Sequence, residues 1–377
     1  MRLLAALALA VALLAVPAAA GELQTPRAAE VFFGLVRASA PVTATRAELF
    51  VGGRRLGAAR VVRGRVGFRL SAPPGRYDVR VRFRRSARVI GRDESRAVWL
   101  LPRSARVARR ERRAERRLAR RLGTLGRSFD GYAGFWVHDL HTGRTAGWNS
   151  DASFPAASTV KLAVLVAALR RFGPRPERST AWREIRDLAV WSSNLASNRL
   201  LVRLGGTEAG GTRIAQAVLW RLGASSSTFT GNYRLGTSVA SAARDAPRPP
   251  PLLTYRRTSA HDLGRILFEL HAASLGNGLA LRRTGLSRHE ARVGLALLLS
   301  SDPTGDNLGL LRPALGPRLP MAQKQGWTSS VRHTAAILYG PSGPRIVVVL
   351  TYRRQLALSS ARGLGGRLAA LVRTLRL

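Results

Sequence analysis

Five consecutive apolar residues, Ile346–Leu350, constrain this chain most, because a strand with no polar face has to be covered on both sides. They lie within Arg345–Tyr352. Arg332–Tyr339 precedes that stretch across Gly340-Pro341-Ser342-Gly343, so the two read as a hairpin. A second hairpin pairs Gly134–Leu140 with Arg144–Trp148 across His141-Thr142-Gly143. Between the hairpins, apolar spacing predicts helices over 158–172, 180–203, 212–222, 260–273 and 288–300, and 360–376 reads as a last helix packing back on the sheet. Strands from the two ends joined in one sheet, with helices inserted between them, make an α/β architecture of the α+β type.

Residues 30 to 101 have a different pattern, with strand signals and no convincing helix. Tyr77, Val79, Val81 and Phe83 alternate with Asp78, Arg80, Arg82 and Arg84 after the turn Pro73-Pro74-Gly75. Further apolar stretches at Glu30–Val36, Ala47–Val51, Val61–Leu70 and Ala97–Leu101 suggest a small immunoglobulin-like β-sandwich over 24–102, a spacer or binding module. Residues 103–121 hold ten arginines and two glutamates; Val107, Ala114, Leu118, Leu122 and Leu125 fall near one helical face, which predicts a helical linker. A second domain, catalytic if the chemistry below is right, spans 122–377. The first 20 residues (Arg2, an apolar run Leu3–Val16, then Ala18-Ala19-Ala20) predict a secretory signal and an extracytoplasmic, cell-envelope location, with an uncleaved anchor as the alternative.

The net charge of +41 would suit a nucleic acid, but export argues for an anionic wall polymer or lipid surface met through the Arg-rich segment. There is no cysteine, and six scattered histidines give no H-x-x-x-H pair, so neither a disulfide framework nor a metal or other cofactor is expected. The chain has two lysines, Lys161 and Lys324, against 60 arginines. Most surface positions accept either cation, so these two mark places where Arg does not serve. A buried Lys can lose its proton and act as a base, whereas Arg cannot.

Lys161 closes Ser158-Thr159-Val160-Lys161 at the start of an apolar helical run, one turn from Ser158 and on the same face. Burial and the positive end of the helix dipole should both lower its pKa, leaving an amine able to take the Ser158 proton. A lone Ser-x-x-Lys is a weak signal. Its company is stronger: Ser192-Ser193-Asn194 after a helical segment and before Leu195–Leu201, then Lys324-Gln325-Gly326-Trp327 opening a strand.

Phe154-Pro155-Ala156-Ala157-Ser158-Thr159-Val160-Lys161, Ser192-x-Asn194 and Lys324-x-Gly326, in this order, resemble the three active-site motifs of class A serine β-lactamases and of the related penicillin-binding D,D-peptidases. The resemblance covers roughly 115 to 375 and implies a helical subdomain against a five-stranded antiparallel sheet, with the site between them. It implies Ser158 as the acylated nucleophile, Lys161 as its base, and Ser192 passing a proton to the leaving nitrogen. Asn194 would bind the substrate amide, and Lys324 its carboxylate. The backbone N–H groups of Ser158 and Trp327 would form the oxyanion hole, where losing one donor costs about 3 kcal/mol of barrier. No cofactor is implied, and a monomer is expected.

Three departures qualify the match. Ser193 stands where an Asp is usual, and Gln325 where a Thr or Ser is usual. No Glu or Asp lies between Glu208 and Asp245, where the deacylating glutamate belongs; Thr228–Leu235 offers Asn232 and Tyr233 instead, and Asp245 sits in the Pro-rich stretch Ala242–Pro251. Loss of a general base costs roughly two to four orders of magnitude. The expectation is a serine hydrolase that hydrolyses β-lactams slowly. The alternatives are a penicillin-binding D-Ala-D-Ala peptidase or transpeptidase or covalent β-lactam sensor, and an inactive cell-wall binding protein. Arg332 and His333 follow on the next strand: Arg332 is a candidate for binding an anionic group, and His333 reads as a partly exposed edge residue. His138 and His141 read as surface residues.

Overall fold

The computed structural model describes residues 21–107, 113–233, 256–301 and 308–373. The expected leader and Asp245 lie outside them. Two compact units emerge, one made of the chain up to Arg27, Leu35–Leu70 and Asp78–Arg96, the other of Ala28–Gly34, Ser71–Tyr77 and everything from Ala97 onward.

The N-terminal strands are β1 (Glu22–Thr25), β2 (Val31–Phe32), β3 (Leu35–Ser39), β4 (Arg46–Val51), β5 (Arg54–Arg60), β6 (Arg65–Arg69), β7 (Gly75–Arg85) and β8 (Arg88–Leu100). They form two sheets, β1-β3-β6 and β2-β8-β7-β4-β5. The period-2 expectation is met: Val79, Val81 and Phe83 are buried on β7, as are Val36 and Ala38 on β3 and Val66 and Phe68 on β6. The region is all-β, as anticipated.

The rest of the chain supplies α1 (Arg113–Arg127), β9 (Tyr132–Asp139), β10 (Thr145–Trp148), β11 (Phe154–Pro155), α2 (Lys161–Phe172), α3 (Trp182–Val190), α4 (Asn194–Gly205) and α5 (Glu208–Arg221). It continues with β12 (Arg257–Thr258), α6 (Ala260–Leu275), α7 (Gly278–Thr284), α8 (Arg288–Leu299) and α9 (Arg312–Leu315), then β13 (Met321–Trp327), β14 (Val331–Gly340), β15 (Gly343–Tyr352) and α10 (Leu358–Arg373). The two hairpins meet as predicted in one five-stranded antiparallel sheet of order β10-β9-β15-β14-β13. On β15, Ile346, Val348 and Leu350 face a core shared with α2, α5, α6 and α8, while Val347 and Val349 face a second core shared with α1 and α10. This two-sided cover is why Ile346–Leu350 carries no polar side chain.

Several expectations need correction. The Arg-rich segment is no solvated linker over 103–121: its helix runs Arg113–Arg127 and packs on β9 and β10, burying Leu118, Leu122, Gly123 and Gly126. Gly126 is required there, since a Cβ would fall 2.0 Å from the Trp148 ring. The helix expected over 180–203 is two helices, α3 and α4, broken at Ser192, whose backbone is left-handed (φ +59). His138 is buried, stacked on Trp136 at 5.3 Å and bonded through Nε2 to the Arg106 carbonyl at 2.9 Å, so it is not a surface residue. His141 is exposed.

Candidate active site

Ser158 sits in a tight turn rather than in the helix itself. β11 pairs with β12 and ends at Pro155; Ala157 then takes a left-handed conformation (φ +46) that turns the chain. Three successive i→i+3 bonds follow, Lys161 N to Ser158 O (3.3 Å), Leu162 N to Thr159 O (3.2 Å) and Ala163 N to Val160 O (3.0 Å). Only then does α2 begin, with Leu162–Leu169 buried throughout. Ser158 is half-buried, and its Oγ makes no hydrogen bond to any described residue.

Lys161 is the first residue of α2 and is fully buried. Its Nζ donates to the Ser192 carbonyl at 2.5 Å and to Asn194 Oδ1 at 2.6 Å. Burial holds its pKa well below the usual lysine value, and the cations of Lys324 and Arg256 push it the same way. An uncharged amine has two hydrogens and one lone pair. The two acceptors match the two hydrogens, which leaves the lone pair available to a hydroxyl proton.

The break between α3 and α4 builds the second motif. The Ser193 N–H bonds to the Asp187 carbonyl (3.0 Å), and Ser193 Oγ caps α4 by accepting from Ala196 N (3.1 Å). Ser193 thereby holds the break between α3 and α4, with a cap of a kind that contributes about 1 kcal/mol. Ser192 Oγ accepts from Lys324 Nζ at 2.6 Å, and the same amine donates to the Gln325 carbonyl at 2.9 Å. Ser192 keeps its own proton to donate elsewhere. Burial pulls the Lys324 pKa down to about 7.

The third motif lies on β13. Gly326 runs so close to the nucleophile turn that a Cβ there would sit 2.9 Å from Ser158 N and 3.0 Å from Thr159 N. Trp327 is half-exposed, opposite Arg332 in the β13–β14 register, with the guanidinium 5.2 Å from the indole centre. Gln325 is buried, its amide 3.5 Å from Ser301 Oγ. His333 is no edge residue. It is buried, accepts from Thr351 N–H at Nδ1 (3.2 Å) and donates from Nε2 to the Pro155 carbonyl (2.7 Å), which ties the sheet to the strand entering the Ser158 turn. Burial lowers its pKa to about 4, so it stays neutral.

The structure therefore brings Ser158, Lys161, Ser192, Asn194, Lys324 and Gly326 together, with Trp327 and Arg332 at the exposed end of β13 and β14. Two further residues join them: Asn198, which sequence reasoning missed, and Tyr233, which it named only as standing in the segment where a deacylating glutamate belongs. The Tyr233 ring lies 4.3 Å from Lys161 Nζ, and Asn198 holds the Tyr233 main chain, accepting from its N–H and donating to its carbonyl, both at 2.7 Å. Asn198 follows Asn194 by one helical turn, so its place on the same face was readable. For Tyr233 the sequence showed only that Thr228–Leu235 lacks an acid, not that the ring meets Lys161.

Comparison with known proteins adds the family. The model of the beta-lactamase enzyme family matches residues 116–175 and 172–374. No curated protein matches the chain. Among solved structures, a protein called PBP-A is similar with a TM-score of 0.53 at 18% identity, covering 73% of this chain and 100% of that one. A beta-lactamase from Sphaerobacter thermophilus gives 0.50 at 18%, covering 68% and 94%, and one from Desulfarculus baarsii gives 0.51 at 19%, covering 69% and 99%. At such identities the likeness is one of fold.

Proposed function

Because this chain belongs to the beta-lactamase enzyme family, we propose that it is a serine hydrolase whose Ser158 is acylated by a β-lactam or a D-Ala-type peptide. Lys161 takes the Ser158 proton as Oγ attacks the carbonyl. The oxygen that gains charge is met by the N–H groups of Ser158 and Trp327, which the close approach of Gly326 holds near each other. Ser192 then donates its proton to the leaving nitrogen, and the 2.6 Å contact with Lys324 Nζ supports it in that role. Asn194 binds the substrate amide, and Lys324, with Trp327 and Arg332 at the rim, receives the carboxylate. The leader over 1–20 would export the protein to the cell envelope, where D-Ala peptides and β-lactams are met. Its arginine surface would favour anionic wall or lipid partners there, and a monomer is sufficient for the chemistry.

One observation carries this reading: Lys161 Nζ is wholly buried, held by two acceptors that satisfy an uncharged amine, one turn from a half-exposed serine hydroxyl. The test is incubation of the purified protein with benzylpenicillin and with a chromogenic cephalosporin, following intact mass and turnover together. An adduct on the wild type that Ser158→Ala abolishes is expected. Neither adduct nor turnover on lactams or D-Ala peptides would leave only the inactive wall-binding alternative.

A further inference from the structure

Tyr233 is built into the site rather than resting beside it. Asn198 grips its main chain on both sides, and the Arg256 guanidinium stacks on its ring at 3.8 Å. Arg256 is itself fixed by the Gly231 and Asn232 carbonyls, each at 2.9 Å. Asn232 is anchored in turn to Glu208, through its N–H at 3.1 Å and its side-chain amide at 2.7 Å. Three elements thus converge to hold one aromatic ring against the flank of the Lys161 amine.

Lys161 is the base this site offers to a water attacking an ester on Ser158, so the flank of its amine that Tyr233 meets is a side from which such a water would be kept. Among the described residues no carboxylate is bonded to Lys161, and the Glu208 carboxylate is committed to Asn232. The phenol cannot replace a carboxylate base. Burial pushes it up to about 12, and its hydroxyl donates to the Ala157 carbonyl at 3.4 Å. A ring face carries no acceptor that could orient a water.

We infer that Tyr233 decides the fate of the acyl-enzyme: by covering the Lys161 flank it keeps water from the ester, so the acyl group stays on Ser158 until an amine acceptor takes it. The inference rests on the acylation proposed above. An amine in its free-base form, the minor species of D-alanine near neutral pH, already carries the lone pair that attacks and needs no further activation by a base. Its nitrogen adds to the ester carbonyl, the C–N bond forms, the C–Oγ bond to Ser158 breaks, and the nitrogen's extra proton returns through Lys161 to Ser158 Oγ.

The experiment follows the intact mass of the full chain after a pulse of benzylpenicillin, with and without millimolar D-alanine, in wild type, Tyr233→Phe, Tyr233→Glu and Tyr233→Ser. The wild-type adduct should persist, and D-alanine should hasten its loss while transferring the acyl group to the amine. Tyr233→Phe should behave as wild type, since the ring and not the hydroxyl does the covering. Tyr233→Glu should shorten the adduct lifetime at least about tenfold, a fraction of what a well-placed base supplies, with the acylation rate little changed. Tyr233→Ser, which opens the flank without adding a base, should shorten it less, and it keeps the test alive if the Glu variant does not fold. An adduct that forms in all four proteins but decays equally fast in each, or ignores the amine, would overturn the Tyr233 role and leave acylation standing. No adduct in any of them defeats both.

Discussion

Lys161 is fully buried and among the described residues no carboxylate bonds to it, so the residue is useful only if it can be neutral. Lys161→Met keeps length and apolar stem while removing the lone pair. The expected outcome is loss of penicillin labelling by at least about a hundredfold, the scale of a general base, with the thermal midpoint held within a few degrees. A midpoint that drops as sharply as the labelling would assign the amine a structural role instead. The residue scale is also where sequence reading was strongest. Two lysines against 60 arginines pointed to Lys161 and Lys324 before any fold was known, and both are buried in one cluster with Ser192 between them. It was weakest for residues whose partners are backbone groups. His138 and His333 read as surface residues, yet each is buried on a carbonyl, Arg106 O and Pro155 O, that no side-chain pattern announces.

Among elements, β13 and the turn before α2 form the tightest junction in the site. Gly326 lies there in an ordinary strand, so alanine is allowed by its backbone; what excludes it is the nucleophile's own main chain at 2.9 Å and 3.0 Å. Backbone cannot swing aside as a side-chain tip can. Gly326→Ala should therefore displace the Ser158 N–H and slow acylation about a hundredfold or more, the usual loss for one misplaced oxyanion donor. Gly340→Ala, on the next strand with nothing nearer than the Gly343 carbonyl at 3.9 Å, is the control and should label at the wild-type rate. Equal rates in the two variants would remove the oxyanion role from this junction. The strands themselves were legible because alternation and unbroken apolar runs report burial directly. The break that makes the second motif was not. Apolar spacing runs on from Ile185, Leu188 and Ala189 to Ala196, Leu200 and Leu201, and only the left-handed Ser192 interrupts the helix between them. Tyr233 was visible only as standing where an acid was missing; its contact with Lys161 depends on Asn198, 35 residues earlier.

At the scale of the whole molecule, almost all of the positive charge sits on guanidiniums that stay protonated at any ordinary pH. With no thiol in the chain, and with histidines near 6.5 and tyrosines near 10, the two lysines dominate the change of side-chain charge between about pH 7.5 and 9. In the unfolded chain both lysines hold their protons up to about pH 10.4. In the folded protein Lys324 releases its proton at about 7, and Lys161 is also held well below its ordinary value. The unfolded state thus binds more protons throughout that window, so stability rises as pH increases from about 7.5 to 9 and is lost again as pH falls back toward 7.5. Self-repulsion among the arginines cannot produce this slope, because their charge is constant across it. Urea midpoints of the wild type should climb between about pH 7.5 and 9, opposite to the decline usual for proteins whose exposed lysines sit in salt bridges. Lys324→Met removes one of the two titrations and should climb less steeply, whatever its midpoint at pH 7. A flat or falling wild-type profile would mean that the amines stay charged in the fold, and the base role of Lys161 would lose its physical ground.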